Sequence, residues 1–524
     1  MQLIPSMHIR VAVLLIAAIL TACSQDQNEQ QGQNEQKEQP NILYILADDL
    51  GYGELGVYGQ QKIETPNIDA LAENGMLFTK HYSGSPVCAP SRFMLMTGSH
   101  PGHAYIRNNG SRPGHDVWDF EALRENPELE GNTPIPDSTV TVGEVLQEAG
   151  YQTAAVGKWG LGGPGSQGMP NDQGFDFFYG YLDQAMAHTY YPIYLWKNKE
   201  RIFLDNDPVN PHTPLPDSLD PEDPASYDRF QDQPDYSAAL MLDEALGFIE
   251  TNQEDPFFLY YATTIPHVSL QAPTRWVTHY REKLGEEEPY TGGQSYTPNR
   301  YPRATYAAMI SYLDEQVGEL IAKLKETGTY ENTLILFSSD NGPTYNGGTD
   351  ASFFNSAGPF NETRGWAKGY LHEGGIRVPM IASWPGVIEA GSETDHLSAF
   401  WDVMPTLADA AGADAPAGTD GISFVPLLKG QSSGQQQHEY LYWEFPAYGG
   451  QQAVRMGKWK GIRKNIIKSG NLDIELYNLD EDIKEERDVS EEHPEVVEQI
   501  RSIMTQEHSV PERDAFRMEA LNGS

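Results

Sequence analysis

Apolar residues fall into two kinds of stretch along this chain, short unbroken runs and longer segments of helical period, and the two kinds alternate. Asn41-Ile-Leu-Tyr-Ile-Leu-Ala47 shows no polar alternation, which predicts a strand buried on both faces, as in a parallel sheet under helices. Tyr151 to Val156, Pro256 to Ala262 and Thr333 to Phe337 have the same character. Between them, Val140 to Gly150, Asp235 to Thr251 and Arg303 to Thr327 carry helical spacing. Alternating strands and helices predict an α/β fold whose sheet is covered on both faces. A Gly/Ala/Asp-rich break, Ala411 to Gly421, ends this pattern. Beyond it Tyr440 to Phe445, Ala453 to Arg463 and Ile474 to Tyr477 read as short strands, and Glu495 to Thr505 as a helix.

Each strand of the first part runs into polar residues. The first ends at Asp48-Asp49, followed by Gly51, Gly53 and Gly56. The others end at Gly157-Lys158-Trp159, Pro266-His267 and Asp340-Asn341-Gly342-Pro343. In open α/β sheets ligands bind beyond the carboxyl ends of the strands. A single such ending is usually a helix cap or a turn; four in one chain are better explained by one shared site. Asp48, Asp49, Asp340 and Asn341 together make a hard-oxygen donor set. Such a set suits one Ca²⁺ ion, or Mg²⁺, rather than zinc, which prefers His and Cys.

Composition narrows the partners. The 524 residues suggest two or three domains at roughly 150 residues each. With 75 acidic against 35 basic residues the formal net charge is -40, which excludes nucleic acid as a partner, since phosphate binding needs basic patches. An anionic substrate would need a locally basic pocket within this acidic exterior. At the N-terminus, Arg10 and the apolar stretch Val11 to Leu20 form an export signal over residues 1–23, too short for a membrane-spanning helix. It closes on Leu20-Thr21-Ala22-Cys23, which resembles a bacterial lipobox and implies a lipid anchor at Cys23. Residues 24–40, dominated by Gln, Asn, Glu and Asp, read as a disordered tether. The expected location is the periplasmic or cell-surface face of a bacterial envelope.

Only one other cysteine is present. Cys88 opens Cys88-Ala89-Pro90-Ser91-Arg92-Phe93-Met94-Leu95-Met96-Thr97-Gly98. Ser91 to Met96 can start a helix behind Pro90, placing Cys88 near a helix N-terminus, an end that favours anions. This motif, together with Ala47-Asp48-Asp49-Leu50-Gly51-Tyr52-Gly53, Thr65-Pro66-Asn67-Ile68-Asp69, Gly157-Lys158-Trp159, Pro266-His267, Ser339-Asp340-Asn341-Gly342, and Lys368 with Glu373-Gly374-Gly375, resembles the type I sulfatases of the alkaline-phosphatase superfamily. The likeness runs from about Asn41 to the C-terminus.

That resemblance implies a large mixed, mostly parallel sheet sandwiched by helices in a catalytic domain over residues 41–415. It implies a smaller antiparallel sheet with a helix over residues 416–524. A maturation enzyme would oxidise Cys88 to formylglycine, whose hydrate attacks sulfur from the metal and later releases sulfate by C–O cleavage. Arg92 would steady the modified residue, Lys158 and Lys368 would hold sulfate, and His267 would protonate the leaving alcohol. The sequence departs from the family in one place: a histidine commonly follows Gly-Lys-Trp, and here the residue is Gly160. His103 and His188 are candidates for its role. Arg455, with Trp443 and Trp459, is a candidate sugar-binding rim. The expected substrate is a sulfated polysaccharide or oligosaccharide. Alternatives are a phosphate or phosphonate ester hydrolase of the same superfamily, a catalytically inactive glycan-binding lipoprotein, and a structural surface lipoprotein.

Overall fold

The unbroken apolar runs form strands at the centre of a ten-stranded sheet. In this computed structural model residues 39–110, 114–293 and 295–522 are described. The expected export signal, Cys23 and nearly all of the expected tether lie outside them. Among the described residues the strands are β1 (Asn41–Ala47), β2 (Met76–Phe78), β3 (His81–Tyr82), β4 (Gln152–Lys158), β5 (Phe177–Tyr181), β6 (Tyr194–Lys197), β7 (Glu200–Phe203), β8 (Phe257–Ala262), β9 (Thr333–Ser339), β10 (Met380–Ser383), β11 (Ser392–Thr394), β12 (Ser398–Ala399), β13 (Leu441–Phe445), β14 (Gln451–Met456), β15 (Trp459–Lys464) and β16 (Glu475–Asn478). The large sheet has the order β11-β2-β10-β9-β1-β8-β4-β5-β6-β7. Its middle, β9-β1-β8-β4-β5, is parallel, and β10 and β6 add antiparallel on either side.

All residues of β1, β8 and β9 are buried, so both faces of the sheet are covered. The cover comes from two groups of helices. One contains α1 (Pro66–Glu73), α4 (Ser237–Thr251), α5 (Thr274–Leu284) and α6 (Pro302–Glu326); the other contains α2 (Cys88–Thr97), α3 (Val142–Glu148) and α7 (Val403–Ala411). The Thr-Pro-Asn-Ile-Asp motif belongs to this packing. Pro66 opens α1, and Asn67 donates to Asp314 in the middle of α6 at 2.8 Å.

Register explains why the polar strand ends meet. Ala47 lies opposite Ser339, Leu46 opposite Ala262, and Gly157 opposite Ala262. Asp48, Asp340 and Lys158 therefore emerge at one level of the sheet. Gly157 is required there: it has φ +122°, and a Cβ would lie 1.9 Å from the Ala262 carbonyl oxygen.

The C-terminal part is an antiparallel sheet, β13-β14-β15-β16, with helix α8 (Pro494–Gln506). The run Ala453 to Arg463, expected as one strand, is a hairpin: β14 and β15 turn around Gly457, which has φ +55°. One face of this sheet, with Trp443, Ala453, Ile462 and Tyr477, packs on Tyr82, Leu371 and Trp401. The other face, with Tyr442, Val454 and Leu476, is covered by Ile500 and Met504 of α8. Two buried ion pairs cross the seam, Lys460 to Glu373 at 2.7 Å and Arg107 to Glu444 at 2.6 Å. Residues Pro40–Ser524 form one contiguous unit. Among the described residues no helix is long and apolar enough to cross a membrane.

Candidate active site

Cys88 is the first residue of α2 and is 2% exposed. Its Sγ lies 3.4 Å from Asp48 Oδ1, 3.9 Å from Asp49 Oδ1 and 3.7 Å from Lys368 Nζ. Burial and the nearby Asp340 and Asp48 carboxylates push the thiol pKa up. Asp49 sits in the left-handed region, φ +67°, where the chain turns out of β1. That turn lets consecutive carboxylates face the same space.

Three buried carboxylates, Asp48, Asp49 and Asp340, face three cations. Lys158 Nζ donates to Asp48 Oδ2 at 2.6 Å, and Lys368 Nζ donates to Asp49 Oδ1 at 2.5 Å. Arg92 donates through Nε and Nη2 to Asp340 Oδ2 at 3.0 and 2.9 Å, and through Nη1 to the Lys158 carbonyl at 2.6 Å. Burial alone would raise the Asp48 pKa; Lys158, with His267 and Arg92, instead holds it below the usual carboxylate range. Burial works against the charge on Lys368, and Asp49 more than restores it.

His267 follows β8. Its Nε2 is 3.7 Å from Asp49 Oδ2, and its Nδ1 bonds the Val268 carbonyl. A carbonyl accepts, so Nδ1 carries a proton and Nε2 is the atom turned toward the carboxylates. Burial and the positive charge of Lys368 lower the His267 pKa.

The donor set fits a hard cation. Asp48, Asp49, Cys88 and His267 offer ligand atoms all within 4.8 Å of one another. Asn341 donates through Nδ2 to Asp49 Oδ1 at 2.8 Å, while its buried Oδ1 has no hydrogen-bond partner. A buried, orphaned carbonyl oxygen beside carboxylates is what an ion would satisfy. Asp340 joins through the Asp49 backbone N–H, which donates to its Oδ1 at 3.1 Å.

A cavity of about 280 Å³ opens over Cys88, and Lys158, His267 and Lys368 line it. His188 lines it too, its ring parallel to that of His267 at 5.1 Å and edge-on to His212 at 5.3 Å. At Gly160 an added Cβ would meet Gln184 at 3.7 Å. The Gln184 Oε1 is buried without a partner, and this residue lines the cavity. Gln184 therefore faces the place where the family commonly carries a histidine, and the sequence reading missed it. Asn109, Tyr296, Tyr345, Asn346 and Tyr448 also line the cavity and carried no sequence signal, since loops far apart in the chain deliver them.

Two expected residues lie elsewhere. His103 stacks on His100 at 4.2 Å and pairs with Asp420 at 2.9 Å, near the seam with the C-terminal sheet and not in the cavity. Arg455 is 4% exposed on the face of β14 turned toward the seam, where its charge acts on Glu373 and Tyr82. It forms no rim. Trp443 is buried, its Nε1 donating to the Ser83 carbonyl at 3.0 Å, and Trp459 packs on His493 at 4.7 Å.

Comparison with known proteins agrees with this geometry. A family model described as Sulfatase matches residues 40–413, and one described as N-sulphoglucosamine sulphohydrolase, C-terminal, matches residues 361–510. The chain is 35% identical over 436 residues to arylsulfatase A of Homo sapiens, covering 80% of this chain and 74% of that protein. It is 30% identical over 538 residues to N-acetylgalactosamine-6-O-sulfatase of Bacteroides thetaiotaomicron, covering 93% and 96% respectively. The crystal structure of Ps i-CgsB in complex with k-i-k-neocarrahexaose superposes with a TM-score of 0.69 at 27% identity, covering 92% of this chain and 94% of that one.

Proposed function

We propose that this chain, which belongs to the sulfatase family and is a sulfuric ester hydrolase, removes sulfate from a sulfated carbohydrate through a formylglycine made from Cys88. The observation that carries the reading is that Cys88, at the start of α2, lines one cavity with Lys158, His267 and Lys368 and lies against the buried carboxylates of Asp48 and Asp49. The relatives add the substrate class: one is named for N-acetylgalactosamine 6-O-sulfate, and one is complexed with a carrageenan oligosaccharide.

When formed, the hydrated aldehyde at position 88 supplies an oxygen nucleophile and a second hydroxyl for release of the sulfate. A Ca²⁺ ion, with Mg²⁺ the alternative, would be held by Asp48, Asp49, Asp340, Asn341 and residue 88, and would supply charge neutralisation. The chain's own residues do the rest. Lys158 and Lys368 place positive charge where sulfate oxygens gain charge in the transition state. Arg92 fixes Asp340 and the end of β4, which carries Lys158. His267 would present a proton from Nε2 to the leaving oxygen; burial and the Lys368 charge both lower its pKa, and a bound anion offsets the second of these. His188, stacked on it, limits its rotation.

Export and anchoring are part of the proposal. The signal at residues 1–23 and the lipobox at Cys23 support a membrane-anchored lipoprotein facing extracellular glycans, matured by a formylglycine-generating enzyme. The test is co-expression with that maturation enzyme, mass spectrometry of the Cys88 peptide, and ion chromatography of sulfate released from a panel of sulfated saccharides. Conversion to the aldehyde with sulfate release supports the reading. A converted protein with higher kcat/KM on matched phosphate esters than on sulfate esters overturns it in favour of the phosphatase alternative.

A further inference from the structure

A second cavity adjoins the catalytic one. It has a volume of about 400 Å³ and is lined by Trp366, Tyr370, Tyr448, Lys464, Asn465 and Lys468, among others. Tyr448 lines both cavities. The wall between them is built from the segment that carries a catalytic lysine: Lys368 lines the first cavity and Tyr370 the second. Gly369, between them, keeps this wall thin. Its φ is +88°, and a Cβ there would press on the Tyr448 ring at 3.0 Å. Gln451 of β14 fixes the same segment, donating to the Gly369 carbonyl at 2.9 Å and accepting from the Leu371 N–H at 3.1 Å.

We propose that this second cavity is an anion-binding subsite for a neighbouring sulfated sugar of the same glycan chain. The proposal rests on the carbohydrate sulfatase reading above and extends it to a multiply sulfated substrate. Three observations carry it. The first is charge: in a chain of formal net charge -40, this cavity is lined by two lysines and no carboxylate side chain. Lys464 is paired to Glu475 at 2.6 Å, while the ammonium of the exposed Lys468 has no hydrogen-bond or ion-pair partner among the described residues. An isolated basic patch on an acidic protein focuses anions.

The second observation is aromatic surface. Trp366, Tyr370 and Tyr448 offer ring faces, with Tyr370 and Tyr448 at 5.5 Å and edge-on. Rings with a few placed polar groups are the usual lining of a small-molecule site. The third is the presentation of Tyr448. It is 49% exposed at φ +51° and followed by Gly449 and Gly450 at +98° and +81°. A bulky residue held there costs backbone energy, and the structure spends it to set one ring between two cavities.

The test uses the matured protein and the variants Lys468→Glu, Lys468→Ala and Lys464→Ala. Substrates are 4-nitrophenyl sulfate, which reaches only the catalytic cavity, and hexasaccharides of carrageenan and of chondroitin 6-sulfate. For whichever hexasaccharide is desulfated, Lys468→Glu should lower the ratio of its kcat/KM to that of the aryl ester about tenfold, the worth of one charge-assisted contact. Added salt should lower the same ratio in the parent, and less steeply in the variant. An unchanged ratio in all three variants overturns the subsite and leaves the carbohydrate reading standing. Turnover of the aryl ester with no release from any glycan overturns the carbohydrate reading, and the subsite with it.

Discussion

Replacing Arg92 with methionine keeps the length of the side chain and removes its charge. The guanidinium is 1% exposed and makes three donations, two to Asp340 Oδ2 and one to the Lys158 carbonyl. Its Nη2 also lies 3.5 Å from Asp48 Oδ2. Without it, three fully buried carboxylates would face two lysines. Breaking one side of a buried ion pair costs about 3–5 kcal/mol, because the charge left behind stays out of water. The stranded Lys158 carbonyl adds about 1 kcal/mol. Against a total stability on the order of 5–15 kcal/mol, the variant should fold but melt roughly 5–15 °C lower. Arg92→Lys restores the charge without the two-pronged donation and should recover part of the loss. The assay is thermal unfolding in chelator at one scan rate, repeated with Ca²⁺. A ligand that binds only the native state stabilises it by about 2.7 kcal/mol at 100-fold over Kd. The variant cluster is one unit more negative than the parent, so Ca²⁺ should raise its melting temperature more. A variant that melts with the parent in chelator would show that Arg92 does not hold Asp340 as an anion. A deficit that Ca²⁺ leaves untouched would remove the carboxylates from the metal site.

Other outcomes follow from the same geometry. Cys88→Ala should keep the parent stability within about 1 kcal/mol, since the residue contributes one small side chain, yet show no turnover; sustained multiple turnover by Cys88→Ser would contradict release through a second hydroxyl. His267→Ala should lose about 10²–10⁴-fold in kcat/KM on a sugar sulfate and far less on an aryl sulfate whose phenolate leaves unaided; equal losses on both would take His267 out of the acid role. His508 gives a pH signature in stability. Burial disfavours its charge, but Glu444 at 2.7 Å outweighs this and raises its pKa. A raised folded pKa stabilises below the unfolded value of about 6.5 and is lost as pH rises through the folded one. His508→Gln should therefore lower the melting temperature at about pH 5.5 and have little effect at about pH 9; a larger effect on the alkaline side would refute the pairing.

The catalytic core was legible because its physics is local. A parallel strand covered on both faces is largely apolar, so the runs at Asn41–Ala47 and Thr333 to Phe337 stand out, and the polar residues that follow each mark the ligand-binding end. The edges were not. β2, β6, β7, β10 and β11 are three or four residues long, below the length at which alternation separates from chance. Gly457 was a visible turn signal inside the run Ala453 to Arg463, but the apolar residues on both sides masked it.

Side-chain direction was the harder failure, and it explains the misplaced Arg455. In β14 successive side chains alternate between the seam and α8, as any strand requires. Gln451, Ala453 and Arg455 face the seam, whereas Val454 faces Ile500 and Met504. The sequence shows this alternation only in an ordinary two-sided sheet, where one face is polar. Here both faces are buried, one by the catalytic part and one by α8, so an arginine and an alanine share a side and no polarity contrast marks it. Arg455 consequently reads as an exposed cation while serving a buried cluster with Glu373, Lys460 and Arg377. The same blindness hid the contribution that the C-terminal sheet makes to the site. Gln451 reaches across the seam to fix the chain that carries Lys368, and Tyr448 sits over both cavities. The segment that carries Lys368 is thus held partly by a sheet some eighty residues later in the sequence, a dependence that follows from packing and from no local pattern.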